Sequence, residues 1–370
     1  MRKLLKFILL CLNIVIGAGL MVSAMTGLLN PEQHSRIVIA SMTLPAWTVL
    51  ALLALAGDFF VMRRGCLFMA FCLAVSFPQA YTVLPLNIPR GAVPQREKNL
   101  SWTLLSYNIS NFDDLTEMYD GGVNPGVSYI LATDADIVVL PEGANFEVTH
   151  HFHITGEQMD SLTARYPYII KGNDILMMSK FPARAIELHN FQHQYLYGNA
   201  RSSRVAAYMV DIHGRETAIF GCHLQSLGLT RDDKDLYEEF TRGEGLASKQ
   251  ELIIAKNDII GKIGLANRKR AVAVDALVAA IDSIGCSNTI VCGDFNDTPC
   301  CYALRSLEHI GLREVYPLVG NGYMFTFNSD RLLFQIDHVL FKGIFRPWSM
   351  KRGSQRNSDH YPLVTTFIEA

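Results

Sequence analysis

The chain has 370 residues, with 33 Lys plus Arg against 35 Asp plus Glu and a formal charge of −2. That balance argues against an avid, sequence-blind nucleic-acid binder, which neutralises many phosphates with basic side chains. The positive mean hydropathy is high for a wholly water-soluble protein, and the excess is local.

Residues 4–28, 37–62 and 66–86 are three mostly apolar segments, each of at least about 20 residues, the length a helix needs to cross a hydrocarbon core. They read as transmembrane helices and make residues 1–86 a membrane anchor. Asn13 and Asp58 interrupt them, and Pro45 and Pro78 are positions where a kink is expected. Arg2, Lys3 and Lys6 precede the first segment, and Arg63 and Arg64 fill the turn between the second and third. The loop between the first two carries only Arg36 beside Glu32. Positive-inside bias therefore puts the N-terminus in the cytoplasm and everything after residue 86 on the periplasmic or extracellular side of the cell membrane. The competing reading of the first segment is a signal peptide cut after Val22-Ser23-Ala24, which also leaves the rest of the chain outside.

Residues 87–100, with two prolines and a glycine, form a linker. Residues 101–370 are long enough for one large domain. Nine of the 33 basic and three of the 35 acidic residues precede residue 101, so this domain carries a net charge near −8. Strand-like runs occupy 102–108, 136–142, 174–179, 204–212, 217–224, 289–295 and 335–341, with a last strand in LVTTFI. Helical patterns cover roughly 234–262 and 268–284. This alternation predicts an α/β layered sandwich. The five domain cysteines form no CxxC pair, which speaks for buried free thiols and against zinc; an external domain would also permit one disulfide, with partners open.

Polar residues recur where apolar strands end. Asn108 closes the first run, Glu142 the second, and His223 sits near the end of TAIFGCHL. Asp294 and Asn296 follow TIVCG, Asp337 lies in QIDHVLF, and Asp359 and His360 precede the last strand. Residues two apart on an extended chain share a face, so Asp294 and Asn296 are expected to point into one pocket while Phe295 packs away from it.

The pieces SYNIS, LPEG, SKFP, CHLQS, GDFND, QIDHVL and SDHYPL, in this order over about 101–365, resemble the endonuclease/exonuclease/phosphatase (DNase I-like) superfamily. The resemblance implies a four-layer αββα sandwich with the site at one end of two sheets. It implies Glu142 as the principal Mg²⁺ or Mn²⁺ ligand, assisted by Asn108 and Asp359, a hard-oxygen set suited to these cations. Asp294 would orient or activate the attacking water, and Asn296 would donate to a phosphoryl oxygen. His360 paired with Asp337 would act as base or charged donor, and His223 as acid or phosphate donor. The implied activity is metal-dependent phosphodiester hydrolysis at a membrane, with nucleic acid as first substrate class and a phospholipid or inositol phosphate as the alternative. A catalytically dead, membrane-tethered binding module is the third reading, and the complete residue set argues against it. LPEG lacks the Gln that commonly precedes the glutamate, and the tyrosine and asparagine of abasic-site endonucleases have no match. His338 is an extra histidine expected in packing or at the surface. His150, His151 and His153 offer a soft-metal alternative that no nearby Cys or acid completes. Arg201 and Arg204 are read as either phosphate contacts or ion pairs, and 226–270 as a solvated helical insertion.

Overall fold

The computed structural model describes residues 2–113, 123–144, 154–188, 203–227, 249–329 and 332–369. The first of these stretches opens as a helical bundle of α1 (Arg2–Thr26), α2 (Pro31–His34), α3 (Leu44–Val61), α4 (Arg63–Val75) and α5 (Phe77–Val83). Lys6–Thr26, with 21 residues, and Val38–Val61, with 24, are long and apolar enough to cross a membrane. The third expected segment is different: α4 and α5 meet at 75°. Pro78 stands in the first turn of α5, where its missing N–H is harmless, whereas a continuous helix would lose a hydrogen bond there. The buried Asn13 amide donates to the buried Asp58 carboxylate, so the two polar interruptions of the apolar helices satisfy each other inside the bundle.

Two six-stranded sheets follow. The first runs β13-β14-β1-β2-β4-β3, built from β1 (Ser101–Ser106), β2 (Ile137–Pro141), β3 (Tyr168–Gly172), β4 (Ile175–Ser179), β13 (Phe345–Arg352) and β14 (Leu363–Glu369). The second runs β5-β6-β7-β8-β12-β9, built from β5 (Ala183–Ile186), β6 (Arg204–Ile212), β7 (Arg215–His223), β8 (Thr289–Asp294), β9 (Arg313–Glu314) and β12 (Asp337–Lys342). A hairpin of β10 (Phe327–Ser329) and β11 (Leu332–Phe334) stands apart. The pairs β1/β2 and β7/β8 are parallel, and all other pairs are antiparallel.

One core lies between the sheets, with Leu104, Val139, Ile175, Ile219, Ile290, Cys292 and Val339 facing one another. A second packs α8 (Lys249–Ile284) and α9 (Tyr302–His309) on the outer face of the second sheet. A third packs α6 (Pro125–Thr133) and α7 (Gly156–Arg165) on the outer face of the first. The result is the four-layer αββα sandwich. Its central strands are covered on both faces, which is why they read as unbroken apolar runs rather than alternating ones.

The differences from the sequence reading have physical causes. β13 carries Pro347 and a register shift between Pro347 and Ser349, tolerable because it is an edge strand with a free N–H side. The helix expected at 268–284 continues unbroken back to Lys249. Its polar Asn267 and Arg270, which interrupt the apolar face in the sequence, are buried and bonded to each other. Arg270 is therefore not part of a solvated insertion. The three histidines at 150, 151 and 153, Arg201 and residues 228–248 lie outside the described residues.

Candidate active site

β8 delivers Asp294 to the end of the second sheet, in register with His223 on β7 and Asp337 on β12. Gly293 has φ 130 and lies so close to the Cys222 carbonyl that no Cβ would fit, which accounts for the glycine of GDFN. Beyond Asp294 the strand stops. Asn296 is left-handed, φ 51, and its backbone N–H donates to Asp294 Oδ1 at 2.8 Å, an Asx-type turn. Asp294 and Asn296 thus face one pocket through this turn rather than through strand alternation, while Phe295 is buried against the outer helices.

Both hydrogens of the Asn296 amide are taken, by the Leu224 carbonyl at 3.0 Å and Asp294 Oδ2 at 3.0 Å. In this arrangement Asn296 holds Asp294 in place, and the bond to a phosphoryl oxygen that the resemblance implies would take the place of one of these two. Asn108 behaves similarly. Its amide donates to Glu142 Oε1 at 3.2 Å and Asp294 Oδ2 at 3.1 Å, and its oxygen accepts from Ser110 N–H at 3.1 Å. Glu142 sits just past β2 at φ 56, and Ser110, Asn111 and Phe112 across from it are also left-handed. Four such non-glycine residues at one spot are the kind of backbone strain that collects at functional sites. Asn111, which no motif in the sequence marks, donates to Glu142 Oε2 at 3.3 Å.

Two histidines approach Asp294 Oδ2, His223 from the end of β7 and His360 from the segment ahead of β14. His360 Nε2 lies at 3.7 Å and its Nδ1 is 2.8 Å from Asp337 Oδ2, the expected dyad. His223 Nε2 lies 3.8 Å from the same oxygen and 3.6 Å from Glu142 Oε1. Its Nδ1 is 2.6 Å from Asp174 Oδ2, which Arg204 also meets at 2.7 Å. His223 therefore has an orienting carboxylate of its own, and Arg204 belongs to an ion pair. Asp174 was not singled out in the sequence. It precedes β4 in an Asn-Asp turn, where an acid is unremarkable, and none of the matched motifs contains it.

The electrostatics follow from burial. Asp294 is 1% exposed. Desolvation, reinforced by Asp337, pushes it up to about 6 against the pull of both histidines. Burial alone would lower His360, but Asp337 and Asp294 override it and hold it at about 10. Burial likewise opposes the charged form of His223, and the Asp174 hydrogen bond with the Asp294 and Glu142 charges outweighs it, so this histidine is also raised. Near neutrality the His360 imidazolium flanks one buried carboxylate on one side, and His223, its proton affinity raised, flanks it on the other.

The donor set fits a hard divalent cation. Carboxylate oxygens of Glu142 and Asp294 converge on a single amide group, no cysteine is among them, and the Glu142 side chain keeps 27% exposure for a cation that retains waters. Asp294, Asp337 and His360 also place one ligand atom each within 4.8 Å of one another. Since His360 Nδ1 is already bonded to Asp337, that trio works better as an acid–imidazole relay than as a cage. Asp359 is half-buried, and its charge bears on His360 and the Tyr107 hydroxyl. Among the described residues no hydrogen bond or ion pair joins its side chain to Glu142 or Asn108. His338 is fully buried, not at the surface: Nδ1 lies 2.6 Å from Glu314 Oε1, and Nε2 donates to the Asp297 carbonyl at 3.0 Å. Arg270 grips the same loop through Asp297 Oδ2 at 3.2 Å and ties it to the segment after β7 through the Gln225 carbonyl at 2.8 Å.

This constellation of strand-end carboxylates, amides and carboxylate-backed imidazoles on an αββα sandwich defines a phosphoester hydrolase of the DNase I-like class. The sequence matches the model of the Endonuclease/Exonuclease/phosphatase family over residues 105–360, and the chain belongs to that family, whose members are hydrolases acting on phosphoester bonds. Humanized D. rerio TDP2 is similar in structure at 14% identity, covering 72% of this chain and 98% of that one with a TM-score of 0.45. Truncated Caenorhabditis elegans TDP2 is similar at 15% identity, with 74% and 99% covered and a TM-score of 0.45. An endonuclease/exonuclease/phosphatase from Beutenbergia cavernae gives 16% identity, 73% and 72% coverage and a TM-score of 0.43. No curated protein matches the chain.

Proposed function

We propose that the chain is a membrane-anchored phosphodiesterase dependent on Mg²⁺ or Mn²⁺, held by Glu142 with Asn108 and Asp359. The bound cation would neutralise phosphate charge and make a bound water more acidic. Asp294, fixed by Asn108 and Asn296, orients the attacking water and takes up its proton. The water oxygen bonds to phosphorus as one P–O ester bond breaks. One imidazolium hydrogen-bonds the charge developing on the phosphoryl oxygens, and the other protonates the departing alkoxide. The orienting carboxylates, Asp174 for His223 and Asp337 for His360, keep each ring turned with Nε2 toward the phosphate.

The observation that carries this reading is the meeting of both Nε2 atoms on one buried Asp294 oxygen, at 3.7 and 3.8 Å. Full-length protein should release 4-nitrophenolate from bis(4-nitrophenyl) phosphate with Mg²⁺ or Mn²⁺, stop with EDTA, and need about tenfold more metal as Glu142→Gln. Hydrolysis indifferent to chelation would overturn the metal assignment. The catalytic domain is placed outside the cytoplasm with residues 1–86 as anchor; a reporter fused after Ala370 that works only in the cytoplasm would reverse that orientation. Family breadth taken alone puts nucleic acid first among substrate classes, a ranking that the position of the site relative to the membrane can reverse. The membrane anchor favours a lipid phosphoester as the second.

A further inference from the structure

The side of the sandwich that carries the site is also the side that rests on the helical bundle. Cys300 lies four residues beyond Asn296, so their separation is at most about 14 Å. Its side chain is buried with Leu20, Ala24, Leu44 and Val83 of the bundle. Its thiol donates to the Gln79 carbonyl at 3.3 Å and lies 2.8 Å from Thr82 Oγ1. Gly27, just past the end of α1, leaves no room for a Cβ against the Cys300 carbonyl, so the two backbones are in direct contact.

The helix α8 gives the same direction independently. Arg270 is level with the site loops through Asp297 and Gln225. Six residues earlier, about 9 Å along the axis, a methyl group on Gly264 would lie 3.4 Å from the Ser35 carbonyl in the loop joining the first two apolar helices. A third contact ties Asn87 to the Gly320 carbonyl at 2.6 Å and Gly322 N–H to the Pro85 carbonyl at 2.8 Å. All the bundle residues involved lie at one end, the end where α1 finishes and α3 begins.

We propose that the active site opens onto the bilayer surface and hydrolyses the phosphodiester of membrane phospholipid headgroups. The inference rests on the phosphodiesterase reading above and holds for either orientation of the chain, because the bundle end fixes the site's height whichever leaflet it meets. The headgroup layer is about 5–7 Å thick on each side of the hydrocarbon, and Asn296, at most about 14 Å from the bundle-seated Cys300, stands within about two such thicknesses of the bundle end. Leu28, Leu86 and Ile88 are exposed at that same end, the last at 90%, where an interfacial depth would cover them. Leu265, Arg268, Lys269 and Val272 form an exposed stripe at helical spacing on α8, apolar and basic in the mixture that suits an anionic lipid surface. A nucleic-acid duplex would have to enter against that same anionic surface. In the reaction water adds to phosphorus, the P–O bond to one lipid-side or headgroup alcohol breaks, and that alcohol leaves with the proton.

The test uses full-length protein in phosphatidylcholine/phosphatidylglycerol vesicles with Mg²⁺. Four substrates are compared: the vesicle lipids, the deacylated water-soluble glycerophosphodiesters of the same headgroups, linear DNA, and bis(4-nitrophenyl) phosphate. Vesicle lipid should be turned over at least about tenfold faster per phosphate than the deacylated diester or DNA. Arg268→Glu with Lys269→Glu should cut lipid turnover several-fold and leave the chromogenic rate unchanged. DNA or deacylated diester cleaved as fast as vesicle lipid, with the chromogenic substrate active, overturns the inference and leaves the phosphodiesterase reading standing. No chromogenic turnover overturns both.

Discussion

The loop after Asp294 is held by a buried ion pair, and removing it should be costly. Arg270 is 1% exposed and bonds Asp297, the Gln225 carbonyl and Asn267. Arg270→Met keeps most of the apolar stem but leaves the Asp297 carboxylate, 12% exposed, without its cation and the Gln225 carbonyl without a donor. Breaking such a pair from one side costs about 3–5 kcal/mol, and the surviving fit of the stem argues for the lower half of that range. For a domain of this size each kcal/mol is about 2–4 °C of melting temperature, so a fall of roughly 6–16 °C is expected. The informative assay is a double-mutant cycle with Asp297→Asn, read by urea unfolding in detergent. The two substitutions should couple by at least about 2 kcal/mol, since the second removes the charge that the first strands. Additivity within about 0.5 kcal/mol would show that Arg270 is merely solvated charge in a basic run, and the clamp on the site loop would be refuted.

Other outcomes are expected from neighbouring residues. Asp174→Asn removes the hydrogen bond that helps to raise His223, so the alkaline limb of the pH–rate profile should move to lower pH and kcat should fall about 100-fold or more; an unmoved limb would detach Asp174 from catalysis. In His338 the Glu314 carboxylate overrides burial and raises the histidine. Its stabilising contribution is therefore whole below the unfolded value near 6.5 and fades as pH rises through the higher folded value. Urea melts should show wild type and His338→Gln further apart at pH 6 than at pH 9, and a gap that widens with pH would contradict the pairing. Gly293→Ala must place a Cβ against the Cys222 carbonyl at φ 130; a loss of about 3 kcal/mol or failure to fold is expected, checked by soluble yield and melting, and a wild-type melt would mean the strand end relaxes freely.

The chain showed its site where polar residues broke unbroken apolar runs. Asp294, Asp337 and His223 stand out because strands covered on both faces tolerate no polar residue except at an end, and the three are level in one sheet. Asp174 did not stand out, because a carboxylate in a turn ahead of a strand is ordinary; only the tertiary approach of β7 to the β3–β4 turn reveals its partner. Arg270 was hidden in a run of basic residues that reads as solvent-facing, and its burial depends on two loops that meet over α8. The three apolar segments were legible from length and hydropathy, whereas the parting of the third into two helices that meet at 75° was marked in the sequence only by Pro78. The seat of Cys300 in the bundle was not, since it is a contact between residues more than 200 positions apart.

In the proposed mechanism Asp294 serves water attack on phosphorus in a metal-dependent site. The most direct measurement is kcat for bis(4-nitrophenyl) phosphate with saturating Mg²⁺ for wild type and Asp294→Asn, an isosteric change that keeps the Asn108 and Asn296 geometry within reach. A fall of at least about 100-fold with an unchanged melting profile is expected. Equal rates in the two proteins would contradict it.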